Sequence, residues 1–236
     1  MALFSLMDSQ KILVFLHGWG VSSEIFKPLY YFLKDFKIYD LDLPGFGKTP
    51  IEKTMMLKDY ADYVYEFLKN NKIEQPIIIG HSFGGAVAVK FSLLYPDYVS
   101  KLILVSASAV RQPRREIVLI KKVADFLKPI FPEKLIKFIL KLLKLDKTDY
   151  AQIKNPELKE TFKHVIGEDL RPNFHLIKTP TLVIWGEDDA ATPLKEGELI
   201  AQAIPGAKLA VIKNAGHFVF LEKPEEFIKL IKDFTL

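Results

Sequence analysis

The sequence predicts an α/β protein: a mostly parallel sheet of about seven strands flanked by helices, with a helical insertion. Three observations predict it. Runs such as Ile12–Leu16, Ile77–Ile79 and Leu182–Trp185 are apolar at every position, as strands covered on both faces are. These runs alternate with helical stretches, the pattern of successive βα units. Between Ala109 and Thr179 the alternation stops, and a segment of helical composition punctuated by Pro113, Pro129, Pro132, Pro156 and Pro172 takes its place. Residues 1–109 and 180–236 therefore read as the core, and 110–179 as a cap inserted over the upper edge of the sheet.

In chain order, Ala2–Leu6 has the composition of an edge strand, and Lys11–Leu16 is a buried strand ending in His17-Gly18-Trp19-Gly20. Ser22 or Ser23 is placed to cap a helix reaching about Leu33. Phe36–Leu41 is the next strand, ending at the turn-forming Asp42-Leu43-Pro44-Gly45-Phe46-Gly47. Leu57–Asn70 is helical, with Tyr60, Val64, Phe67 and Leu68 along one side. A strand at 77–79 leads through Gly80-His81-Ser82-Phe83-Gly84 into a helix stopped by Pro96, and Lys101–Val105 is a strand. After the insertion come strand Thr181–Trp185, a helix around Glu196–Ala203 and strand Ala207–Ile212. A closing helix has Pro224 and two glutamates at its positive end.

Composition excludes several chemistries. The chain of 236 residues has no cysteine, so disulfides, thiolate zinc sites and cysteine nucleophiles are ruled out. That fits a reducing, cytoplasmic setting. No stretch reaches the ~20 apolar residues of a membrane span, and Met1–Gln10 lacks the pattern of a signal peptide. Nicotinamide, flavin and pyridoxal cofactors have no motif, no histidine–carboxylate cluster marks a metal site, and no nucleic-acid partner is expected.

The chemistry concentrates at Gly80–Gly84. Strand, Gly-x-Ser-x-Gly and helix together form the context of a nucleophile elbow. The turn is tight enough to require near-absent side chains at 80 and 84, and it lifts Ser82 Oγ to a helix N-terminus that favours negative charge. A serine hydroxyl is a weak nucleophile without a base and an acid behind it. Of the five histidines, His81 should point away from the serine, His17 reads as a structural hydrogen-bonding residue, and His164 and His175 read as exposed. His217 lies in a loop after the last strand, in the chain order Ser…Asp…His. For the acid, Gly186-Glu187-Asp188-Asp189 offers three carboxylates; Asp189 is the choice and Asp188 the reserve. The Trp19 and Phe83 N–H groups are the candidate oxyanion donors.

These motifs resemble those of the α/β-hydrolase superfamily, and the resemblance covers nearly the whole chain. His17-Gly18-Trp19-Gly20 is similar to the family's oxyanion loop, Gly80–Gly84 to its elbow, Gly186–Asp189 to its Gly-x-x-Asp loop and Gly216-His217 to its histidine loop. With Asp42–Gly47, the first of these is most similar to the small carboxylesterases related to pimeloyl-acyl-carrier-protein methyl ester esterase. The resemblance implies a carboxylesterase that needs no cofactor, cleaving a small-molecule ester with an apolar acyl part through Ser82, His217 and Asp189. A thioesterase or carbon–carbon bond hydrolase with the same triad, and a non-catalytic ligand-binding member of the fold, are the alternatives.

The inserted segment is strongly basic. From Arg111 to Lys147, eleven lysines and arginines face four acids, a surplus of seven in a chain whose net charge is +4. Three readings stay open: a solvated face, a docking surface for an acidic acyl carrier protein, or a helix lying on anionic lipid. Its apolar residues exceed what one packed face needs, so Phe138 and Leu142 join Trp19 and Phe218 as the expected lining of an acyl pocket.

Overall fold

A computed structural model describes residues 10–110 and 153–235. Among these residues six strands form one parallel sheet: β1 (Ile12–Leu16), β2 (Lys37–Leu41), β3 (Ile77–His81), β4 (Lys101–Val105), β5 (Thr181–Gly186) and β6 (Lys208–Ile212), in the order β2-β1-β3-β4-β5-β6. The helices are α1 (Lys27–Tyr30), α2 (Leu57–Asn70), α3 (Phe83–Leu94), α4 (Pro156–Gly167), α5 (Leu194–Ala203), α6 (Val219–Glu222) and α7 (Pro224–Thr235). The Ala2–Leu6 strand expected from the sequence lies outside the described residues.

The unbroken apolar runs have a direct cause: both faces of the sheet are covered. Successive residues point to opposite faces. Val14, Leu16, Ile78, Leu102 and Leu104 therefore join α2, α3 and α5 in one core. Leu13, Phe15, Ile77, Ile79 and Ile103 join α6 and α7 in the other. Leu170, Phe174 and Ile177, from the end of the expected insertion, are buried within the first core. Strand order reverses at β1, which pairs with β2 on one side and β3 on the other. The loops leaving the carboxyl ends of β1 and β3 thus flank a topological switch point, where open α/β sheets hold their ligands.

One element departs from expectation. The helix expected from Ser22 or Ser23 to about Leu33 is a 3-10 turn at Ser23–Phe26 followed by only four α-helical residues. Pro28 has no N–H to close onto Glu24, and tight turns continue as Phe32 donates to Leu29 O, Leu33 to Tyr30 O and Phe36 to Leu33 O. Neither serine side chain caps; the Ser23 N–H donates to Asp42 Oδ1 at 2.8 Å, from the loop after β2.

Candidate active site

Ser82 sits between β3 and α3 at φ +52°, ψ −115°, a left-handed conformation that a residue with a Cβ rarely holds. Its backbone is pinned on both sides: its N–H donates to Val105 O, and its carbonyl accepts from Gly85 and Ser108. The flanking glycines are obligatory. A Cβ on Gly80 would stand 2.4 Å from Gly84 O, and one on Gly84 would stand 2.2 Å from Leu16 O. The sequence expectation that side chains must be absent at 80 and 84 has this physical basis.

Asp189 and His217 are brought together by the loops after β5 and β6. His217 Nδ1 lies 2.9 Å from Asp189 Oδ2. The carboxylate is fully buried and takes three further hydrogen bonds: from the Ala191 and Thr192 N–H groups on Oδ1, and from Thr192 Oγ1 on Oδ2. Burial alone would raise its pKa; the bonds from His217 and Thr192 outweigh burial and hold it at about 2. Asp188, by contrast, is exposed, and its N–H donates to Ala215 O. Because the Asp189 carboxylate can only accept, His217 Nδ1 carries the proton and Nε2 is left as the basic nitrogen.

No hydrogen bond of 3.5 Å or less joins Ser82 to His217 among the described residues; Ser82 Oγ lies 3.5 Å from Ser108 Oγ. His217 instead meets the elbow through His81, the residue before the serine, whose ring centre is 4.7 Å from its own. His81 itself is buried.

Trp19 and Phe83 flank Ser82. Phe83 opens α3, so its N–H has no partner within the helix. The Trp19 ring packs on Phe83 at 5.2 Å and Phe46 at 4.9 Å between ring centres. His17 behaves as expected: Nε2 accepts from the Leu43 N–H and Nδ1 donates to Gly18 O, fixing the loop after β1 against the loop after β2. Tyr60 OH donates to Pro44 O and its ring abuts Phe83, which holds the second loop in place.

Of the expected pocket residues, Trp19 packs on Phe83 and Phe218 packs on His217 and His81; Phe138 and Leu142 lie outside the described residues. Sequence reasoning missed four participants. Phe162 of α4 covers Trp19 at 4.9 Å, and Thr161 beside it accepts the Met55 N–H at 2.8 Å. Ser108 faces the serine. Thr192 was findable, because Asp followed three residues later by Thr is a local turn signal. His164 was expected exposed; it is half-buried, and among the described residues His175 is the exposed one.

A serine on a strained strand-to-helix turn at a switch point, with an Asp–His pair from the last two strand loops, is the arrangement of α/β hydrolases as a class. The model of the "Alpha/beta hydrolase family" matches residues 13–230, and the chain belongs to that family. It is 29% identical over 242 residues to the pimeloyl-[acyl-carrier protein] methyl ester esterase of Shewanella woodyi, covering 94% of this chain and 92% of that one. It is 32% identical over 244 residues to the protein of the same name from Wigglesworthia glossinidia brevipalpis, again covering 94% and 92%. Among solved structures, the esterase EaEST of Exiguobacterium antarcticum superposes with a TM-score of 0.74 at 23% identity, covering 96% and 92%, and shares the fold.

Proposed function

We propose that the protein is a cofactor-independent serine hydrolase cleaving carboxylic esters with an apolar acyl part. The observation that carries this reading is the 2.9 Å bond between buried Asp189 and His217 beside a serine held at φ +52°. Ser82 Oγ attacks the ester carbonyl and gives its proton to His217 Nε2. Asp189 keeps His217 in the tautomer that can accept that proton and stabilises the resulting imidazolium. The Trp19 and Phe83 N–H groups take the oxyanion, each worth ~2.7–4 kcal/mol of transition-state stabilisation. His217 then protonates the departing alcohol, and the acyl group stays on Ser82. Water, deprotonated by His217, attacks the acyl-enzyme; the acid leaves and Ser82 recovers its proton. Catalytic hydrogen bonds often tighten only in the Michaelis complex, and the Ser82–His217 approach closes at that stage in this reading.

Residues 110–179 serve in this reading as a cap, with Phe162, Trp19 and Phe218 as apolar walls joined by Phe138 and Leu142. Both relatives are named for a methyl ester of a carrier-bound acyl chain. That substrate class is the one we propose first, and the positive surplus between 111 and 147 suits an acidic carrier in the cytoplasm. Docking of this kind weakens with added salt; affinity for acyl carrier protein that is indifferent to salt would remove the electrostatic part.

A fluorophosphonate probe, followed by p-nitrophenyl esters of rising chain length, tests the mechanism. Wild type is expected to label and turn over, with both lost in Ser82→Ala. A folded Ser82→Ala protein that keeps its esterase activity refutes the assignment.

A further inference from the structure

His81 has no part in the proton transfers above, yet it is buried at the junction of three site loops. It precedes Ser82 in the elbow. Its Nε2 lies 3.0 Å from the carbonyl oxygen of His217, which can only accept, so Nε2 carries the proton and donates. The other nitrogen, Nδ1, is buried with no hydrogen-bond partner among the described residues. It faces Gly18 of the loop after β1 so closely that a Cβ there would stand 3.0 Å away. Phe218 and Phe220 complete the enclosure, with ring centres 5.1 and 5.0 Å from that of His81.

An apolar ring would fill this space without leaving a buried nitrogen unpaired. What the imidazole adds is a single donor, aimed at the main chain of the catalytic base. We propose that His81 is a positioning residue that fixes the His217 backbone, so that the base is held at two points. Asp189 holds the far end of the His217 ring, and His81 holds the main chain from which that ring springs. The titratable groups around His81 are His17, Asp189 and His217. Burial, with the neighbouring His217, pushes its own pKa down to about 3, so it stays neutral and cannot compete for the proton His217 receives.

The proposal rests on the serine-hydrolase reading for its kinetic test, and a spectroscopic arm separates the two. In His81→Phe, kcat for a p-nitrophenyl ester is expected to fall tenfold or more with KM within about threefold. His81→Gln, whose amide can donate from a similar place, is expected to recover most of the loss. The nuclear magnetic resonance signal of the His217 Nδ1 proton, shifted downfield by its bond to Asp189, should persist in wild type and His81→Gln and broaden or vanish in His81→Phe. Equal rates and equal proton signals in folded Phe and Gln variants overturn the proposal. If wild type shows no turnover, the hydrolase reading fails, and the proton signal alone still decides whether His81 holds His217.

Discussion

Replacing Asp189 by asparagine tests the candidate site most severely, because it alters the charge and hydrogen-bonding pattern while leaving the shape intact. In the wild type, Oδ1 accepts the Ala191 and Thr192 N–H groups, and an asparagine oxygen can do the same. The new NH2 group then occupies the place of Oδ2, 2.9 Å from His217 Nδ1. A donor there forces Nδ1 to accept, moves the imidazole proton to Nε2 and removes the lone pair that must take the Ser82 proton. In a triad, a wrong tautomer of this kind costs ~10^4 in kcat, or about 5.5 kcal/mol of barrier. The assay is kcat on a p-nitrophenyl ester, with folding checked by circular dichroism. A folded variant within tenfold of wild type refutes the assigned base and tautomer.

The same substitution carries a pH signature. The folded pKa of Asp189, about 2, lies below the ordinary carboxylate value of 3.8. A depressed folded pKa contributes stability that is fully present above pH 4 and lost as pH falls towards 2. A displacement of nearly two pKa units is worth about 2 kcal/mol. The stability lead of wild type over Asp189→Asn in urea should therefore shrink by about that much between pH 5 and pH 2. A lead that stays constant across the window means the carboxylate is not held ionised by its partners.

Thr192→Val removes the hydroxyl donor on Asp189 Oδ2, a bond of 2.8 Å to a charged group, and should cost about 1.5–3 kcal/mol in urea at pH 7. Its loss in kcat/KM should be smaller than that of Asp189→Asn, since His217 keeps its tautomer. Thr161→Val strands the buried Met55 N–H and should cost about 1–3 kcal/mol, with faster hydrogen exchange at Met55 if α4 is docked as described.

The fold was legible because its signals are local. A strand covered on both faces has an unbroken apolar run at its centre, so β3, β4 and β5 stand out of the sequence, and the glycines at 80 and 84 announce their own backbone contacts. The short α1 differs from the helix expected to about Leu33 for a local reason: Pro28 lies where the helix needs a donor. The choice of Asp189 over Asp188 could be ranked but not settled, because three neighbouring carboxylates look alike until Thr192 and Ala191 bury one of them. Phe162 and Ser108 left no trace at all. Each meets its partner across the fold, and nothing in a phenylalanine on an amphipathic helix names the tryptophan it will cover.

The packing at Gly186 predicts that chain geometry, rather than side-chain reach, sets the distance between Asp189 and His217. The loops after β5 and β6 touch backbone to backbone at Gly186, where a Cβ would stand 2.2 Å from Gly216 O and 2.3 Å from Ala215 O. The Glu187 N–H donates to Ile212 O and the Asp188 N–H to Ala215 O, so the two loops are stitched together on either side of that contact. Gly186→Ala must part them by the better part of an ångström, because real Cβ atoms essentially never come within 3.0 Å of such a neighbour. The stability cost should be about 1–3 kcal/mol or more. The kcat loss should exceed what that cost implies, because the movement falls on the Asp189–His217 bond itself. Gly206→Ala is the control: its φ of +72° makes alanine strained, but nothing lies within 4 Å of the added Cβ. It should lose stability and keep kcat. Equal kcat in the two variants would mean that the Gly186 contact does not set the spacing of the pair, and that the side chains find each other across loops free to move.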